Sequence, residues 1–117
     1  MLTSEVDFSG RLPIEGYGPG FFRVAGAIHE GPLALLPGGP EPWPGLHDVG
    51  LFLNRGGEID VLLVGTGPEI AFLRDETRRL LEEAGLGVEA MATASACRSY
   101  NVLLAEERRV AAALIPI

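Results

Sequence analysis

Apolar residues in this chain gather into short runs divided by Gly, Pro and charged positions, and the clearest runs lie in its second half. Residues 59–64 (Ile-Asp-Val-Leu-Leu-Val) are β-rich and nearly continuous in apolarity, the pattern of a strand covered on both faces. The run stops at Gly65-Thr66-Gly67. Residues 75–84 change period. Leu80, Leu81 and Ala84 mark one side of a helix, with Asp75 and Glu76 in the first turn, where the dipole favours acids. Gly85 ends it. A second strand is expected over 86–91. Thr93 or Ser95 can then cap a helix reaching about residue 107, and 109–115 supply a last strand. Strands joined in turn by helices predict parallel pairing through right-handed crossovers.

The first half is more broken. Gly10, Gly16, Gly18 and Gly20, with Pro13 and Pro19, read as turns and irregular backbone. Residues 21–28 form an apolar run with small residues, expected as one strand. Residues 33–36 follow as another, so Glu30-Gly31-Pro32 reads as a hairpin turn. Residues 37–45 are rich in proline, which lacks an N–H and fixes φ, so a loop is expected there, with Trp43 at or near the surface. Residues 46–53 suit either a helical turn or a short strand, and 54–57 a turn. The predicted class is α/β: one three-layer domain over 1–117, with a mixed central sheet, an N-terminal β-hairpin and a C-terminal βαβαβ unit of parallel strands.

Composition narrows the functions. The net charge is −7 and all nine basic residues are scattered arginines, whereas nucleic-acid binding needs a cationic face. Nucleic acid is not expected as a partner. No apolar run approaches the roughly 20 residues of a membrane span. Residues 1–10 contain Glu5 and Asp7 and lack a basic start and an apolar core, so no signal or transit peptide is expected there. A lone Cys97 forms no internal disulfide, and a cytoplasmic setting follows as the expectation.

Several residues could carry chemistry. Ligands in open α/β sheets favour the carboxyl ends of parallel strands. Gly65-Thr66-Gly67 and the helix start at Thr93 both arrive at that edge, making Thr66, Gly67, Thr93, Arg98 and Asn101 candidates for holding an anion. The ordinary alternative is that the glycines turn the chain and Thr93 is a cap. At about 100° per residue from Thr93, Cys97, Tyr100 and Leu104 share one face with Ala96 and Leu103. Cys97 thus reads as a small core residue rather than a nucleophile. His29 and His47 have no metal-ligand spacing, so neither a metal nor a cofactor is expected. Gly16-Tyr17-Gly18-Pro19-Gly20-Phe21 fails as a dinucleotide fingerprint, because Phe21 takes the last glycine position and a strand follows instead of a helix. No catalytic residue is assigned.

Taken in order, Gly16 to Phe21, Gly65-Thr66-Gly67, Glu89 to Thr93, the block Ala96-Cys97-Arg98-Ser99-Tyr100-Asn101-Val102-Leu103 and Arg109 to Leu114 resemble one family. It is the small-domain family that includes the mitochondrial complex I assembly factor 3 and its bacterial and archaeal relatives. The resemblance covers nearly the whole chain, and Ser99 replaces a Thr expected in many members. It implies a three-layer α/β fold, and for mitochondrial members a part in assembling respiratory complex I. The expected absence of a transit peptide suits a bacterial-type member. The resemblance brings no established catalytic residues. The first expectation is therefore a non-enzymatic assembly or interaction factor for a membrane-associated complex, with a protein partner such as a subunit of that complex and Trp43 as a contact. A small-molecule or anion-binding protein or enzyme at the strand ends, and a homo-oligomer, stand as alternatives.

Overall fold

A computed structural model describes residues 11–117; the turn expected at Gly10 lies outside the described residues. Eight strands and two helices run in the order β1 (Ile14–Gly18), β2 (Phe21–Val24), β3 (Ala27–Glu30), β4 (Leu33–Leu36), β5 (Gly39–Pro42), β6 (Val61–Thr66), α1 (Asp75–Glu83), β7 (Gly87–Met91), α2 (Thr93–Ala105) and β8 (Val110–Ile115). The central sheet has the order β5-β4-β8-β6-β7. In it β6 pairs in parallel with both β7 and β8, while β4 is antiparallel to β8 and to β5. This is the mixed sheet and the βαβαβ unit that the apolar runs predict.

Alternation along the strands sends side chains to two separate cores. On one face Leu33, Leu35, Leu63, Ala112 and Leu114 pack with Ala96, Cys97, Tyr100 and Leu104 of α2 and with Ile14, Phe22 and Val24. On the other, Leu36, Leu62, Val64, Ala111 and Ala113 pack with Leu81 of α1 and with Trp43, Phe52 and Ile59 from the long β5–β6 connection. The central strand β8 carries Ala111, Ala112 and Ala113, all fully buried, so both outer layers can approach it closely. These are three layers.

Five expectations in the first half need correction. Residues 21–28 are not one strand: the chain reverses at Ala25-Gly26, with φ of 52° and 80°, so β2 pairs antiparallel with β3. Two successive positive φ values suit the tight hairpin turn that matches strand twist. Residues 14–18, read as irregular, form β1 and complete a separate three-stranded antiparallel sheet, β1-β2-β3. The hairpin expected at Glu30-Gly31-Pro32 is instead the step from that sheet into β4 of the other one. Residues 46–53 form turns, neither a helix nor a strand.

The fifth correction concerns the proline-rich segment. Residues 39–42 form the edge strand β5, with Pro40 opposite Leu35 and Pro42 opposite Leu33. The Trp43 N–H donates inward to the Pro32 carbonyl at 3.2 Å, which sets the phase. Alternation then turns the two missing N–H positions to the outer edge, where a proline forfeits no ladder bond. Trp43 is consequently not a surface contact. It is 5% exposed, its ring meets Phe52 edge-on at 6.3 Å, and its indole N–H donates to the Asp48 carbonyl at 2.9 Å. The loop composition is polar, but the ring fills the core face that β8 alanines leave open.

Candidate functional site

Three of the five predicted ligand residues do come together at the carboxyl ends of β6 and β7. Their hydrogen-bonding groups, however, are joined to one another and to the backbone. The Thr93 hydroxyl is fully buried; it donates to the Ile115 carbonyl at 2.6 Å and accepts the Gly67 N–H at 2.8 Å. The Thr93 N–H donates to the Gly67 carbonyl at 2.8 Å. The Thr66 hydroxyl accepts the Ala71 N–H at 2.9 Å and lies within donating distance of the Glu69 carbonyl, 2.8 Å, and the Met91 carbonyl, 3.1 Å. Thr93 is the first residue of α2 and makes no capping bond, nor does Ser95. Its side chain serves the strand ends instead.

Gly65 permits this closure. A Cβ there would lie 2.9 Å from the Thr93 hydroxyl oxygen and 3.0 Å from both the Thr93 Cα and a Leu114 methyl. The helix start therefore sits directly against β6, and the hydroxyls of Thr66 and Thr93 and the N–H groups of Gly67 and Thr93 are spent on structure.

Asn101 and Arg98 do not join this cluster. Asn101 grips β1: its Oδ1 accepts the Ile14 N–H at 2.9 Å and its Nδ2 donates to the Ile14 carbonyl at 2.8 Å. Beside it, the Tyr100 hydroxyl donates to the Leu12 carbonyl at 2.9 Å. Adjacent residues of α2 thus fasten the small sheet onto the large one. Tyr100 is fully buried, and burial raises its pKa above the ordinary phenol range. Cys97, on the same side, is 4% exposed, and desolvation pushes its thiol up to about 11 against a slight opposing pull from Arg98. A thiol so placed stays protonated at neutral pH and is a poor nucleophile.

Arg98 points outward and helps line an open groove of about 670 Å³, together with Val61, Leu63, Glu89, Met91, Val102 and Arg108. Among the described residues its one hydrogen bond is a long contact, 3.5 Å, to the Ser95 hydroxyl. Neither it nor Arg108 forms an ion pair among those residues. Arg109, next in sequence, is committed: it binds both Asp60 carboxylate oxygens, at 2.6 and 3.2 Å, and that bond lowers the Asp60 pKa. On the opposite side of β6, the segment leading to α1 exposes Ile70 and Phe72, the latter 89% accessible. Sequence reading passed over Ile70 and Phe72. Their signal in the sequence is the short apolar run Ile70-Ala71-Phe72-Leu73, after Pro68-Glu69 and just ahead of a helix. Among the described residues no group of acidic, His and Cys side chains is arranged to hold a metal ion.

Residues 14–115, from β1 through the whole of β8, match the family model described as "Protein of unknown function (DUF498/DUF598)". The chain belongs to this family. A DUF498/DUF598 chain of this kind has relatives in both bacteria and animals. An uncharacterized protein of Rhodobacter capsulatus is 49% identical over 117 residues, covering 100% of this chain and 94% of the relative. The NADH dehydrogenase (ubiquinone) 1 alpha subcomplex assembly factor 3 of Xenopus tropicalis is 34% identical over 119 residues, covering 96% of this chain and 65% of that protein. The chain thus spans just under two thirds of the assembly factor's length. In three dimensions it is similar to a crystal structure titled as an outer membrane protein from Bartonella henselae, with a TM-score of 0.86 at 41% identity, covering 93% of this chain and 98% of that one. Among the described residues no helix of this DUF498/DUF598 member is long and apolar enough to cross a membrane.

Proposed function

We propose that this protein is a non-enzymatic assembly or interaction factor, acting from the cytoplasm on a protein subunit of a membrane-associated complex of the respiratory complex I type. The observation that carries the reading is the 34% identity to an animal complex I assembly factor across 96% of this chain. Two features of the surface support it. At the strand ends, the hydroxyls of Thr66 and Thr93 and the Gly67 N–H are bonded within the chain, which favours an interaction role over an anion-binding or enzymatic one. Nearby, Ile70 and Phe72 stand in solvent at 59% and 89% exposure, and a large exposed aromatic is the kind of anchor that protein interfaces bury.

The test is genetic and biochemical. Deleting the gene should leave complex I subassemblies on native gels and reduce NADH:quinone activity in membranes. Re-expression of the wild-type chain should restore assembly, and Phe72→Asp should not, while its melting temperature stays unchanged. Full-sized, active complex I in the deletion strain would sink the reading.

A further inference from the structure

Between α2 and the edge strand β7 lies an open groove of about 670 Å³ that the strand-end cluster and the β1 clamp do not use. Its floor is apolar: Val61 and Leu63 of β6, Met91 of β7, and Val102 and Leu103 of α2. Val102 is 55% exposed, so this side of α2 presents a large aliphatic residue to solvent. Arg98 and Arg108 flank the floor, with Glu89 as the one acidic residue of the lining. In a chain of net charge −7, this lining carries two arginines, neither in an ion pair among the described residues, against the one carboxylate of Glu89, so its balance is cationic. The third arginine of this corner, Arg109, is held by Asp60 and takes no part.

The open edge of β7 offers a rival way to dock, by extending the sheet. It is obstructed at its centre, because Arg78 of α1 donates to the outward Val88 carbonyl at 2.9 Å. A ligand must then be recognised by side chains rather than by a strand ladder. Apolar floor and paired guanidinium groups together select a segment that carries both aliphatic side chains and carboxylates.

We propose that the α2–β7 groove is the docking site for an acidic, aliphatic peptide segment of the partner protein, with Arg98 and Arg108 pairing its carboxylates and Val61, Met91 and Val102 covering its apolar residues. This rests on the interaction-factor reading above and names the chemistry of what that factor holds.

The experiment uses the purified full chain and two short fluorescein-labelled peptides, identical in their Leu and Val residues but carrying Glu or Lys at the polar positions. Fluorescence anisotropy should show the Glu peptide binding, and the Lys peptide binding at least about tenfold more weakly. Arg98→Glu with Arg108→Glu should weaken the Glu peptide by about tenfold or more without moving the melting temperature. Val102→Asp should weaken it as well. Raising salt should reduce the affinity, since exposed charges are screened over about 8 Å at physiological ionic strength. Amide shifts in a titration should centre on Met91, Arg98 and Val102.

Equal binding of both peptides, binding of neither, or indifference to the double reversal would overturn the proposal. So would arginine-dependent uptake onto phosphatidylserine vesicles without peptide binding, which would make the groove a lipid contact. Failure here is distinguishable from failure of the assembly role. A double reversal that still restores complex I removes the groove and spares the factor. An unaffected deletion strain removes the factor while leaving the measured peptide binding in place.

Discussion

The two places where this domain brings polar side chains to a sheet margin have opposite fates. At the carboxyl ends of β6 and β8, Thr93 is fully buried and joined to Gly67 and Ile115. Five residues along the same helix, Arg98 is exposed and held by little more than Ser95. The difference is one of distance from backbone. Gly65 lets α2 start in contact with β6, so the Thr93 hydroxyl meets the Gly67 N–H and the Ile115 carbonyl within 3 Å. Further along, side chains of α2 and the edge strand β7 line an open groove. A threonine at a strand end is thus evidence of a site only if the chain leaves it room.

The largest test of that contrast is Thr93→Val, which keeps the shape and removes the hydroxyl. The Gly67 N–H and the Ile115 carbonyl would be left buried without that partner, at about 1–3 kcal/mol each. We expect a loss of about 3 kcal/mol in urea unfolding, with peptide binding at the α2–β7 groove intact in the folded fraction. Near-normal stability with lost partner binding would mean that the cluster is a ligand site after all.

Alkali should strike the inner side of α2 next. The thiol of Cys97 ionises near 9.0 when unfolded and at about 11 when folded. The unfolded chain therefore releases this proton first. The contribution is fully present below pH 9 and falls as pH rises toward 11, by roughly 2–3 kcal/mol in all. Tyr100, also raised by burial, steepens the upper end of that window. Unfolding curves from pH 8 to 11 should show the decline, and Cys97→Ala should flatten its lower half. Ready reaction of the native thiol with a disulfide reagent at pH 8 would contradict the burial.

A smaller effect separates the β1 clamp from both regions. Asn101→Leu removes two bonds to Ile14, and β1 can regain water in their place, so about 2 kcal/mol is the expected cost. The sharper readout is local. Hydrogen exchange at the Ile14 amide should accelerate far more than exchange in β6 or β8. Uniform acceleration across the molecule would show that the small sheet does not open on its own.

The second half of the fold is legible in sequence because β6 and β8 are apolar runs buried on both faces and α1 has Asp75 and Glu76 in its first turn and Gly85 beyond its end, although α2 starts at Thr93 without a side-chain cap. Residues 61–66 and 110–115 fall within a residue or two of where Ile59 to Val64 and Arg109 to Ile115 place them. The first half misleads for local reasons. Ala25 takes a left-handed φ that alanine rarely adopts, so Gly26 is the one turn signal in the run 21–28, without the Asn or Asp that usually precedes it. Pro40 and Pro42 argue against a strand until the edge position of β5 is known. At the candidate site, the strand-end rule brings Thr66, Gly67 and Thr93 together correctly. It is silent about the Ile115 carbonyl, whose place depends on β8 entering beside β6. Asn101 finds its partner 87 residues away, a pairing that no helix wheel contains.

The smallest predicted change is the most discriminating. Arg98→Ala removes an exposed side chain whose one described bond is 3.5 Å long, so stability should move by no more than about 0.5 kcal/mol. Arg108→Ala should behave alike, whereas Arg109→Ala should free Asp60, whose pKa the pair holds down, and return that carboxyl toward its ordinary range. Nuclear magnetic resonance titration of Asp60 reads this directly. If Arg98→Ala destabilised the fold as Thr93→Val should, the outward side of α2 would be structural too, and the contrast between a sealed margin and an open one would collapse. If it leaves stability alone while weakening capture of the acidic peptide, the guanidinium is kept for a ligand and not for the fold.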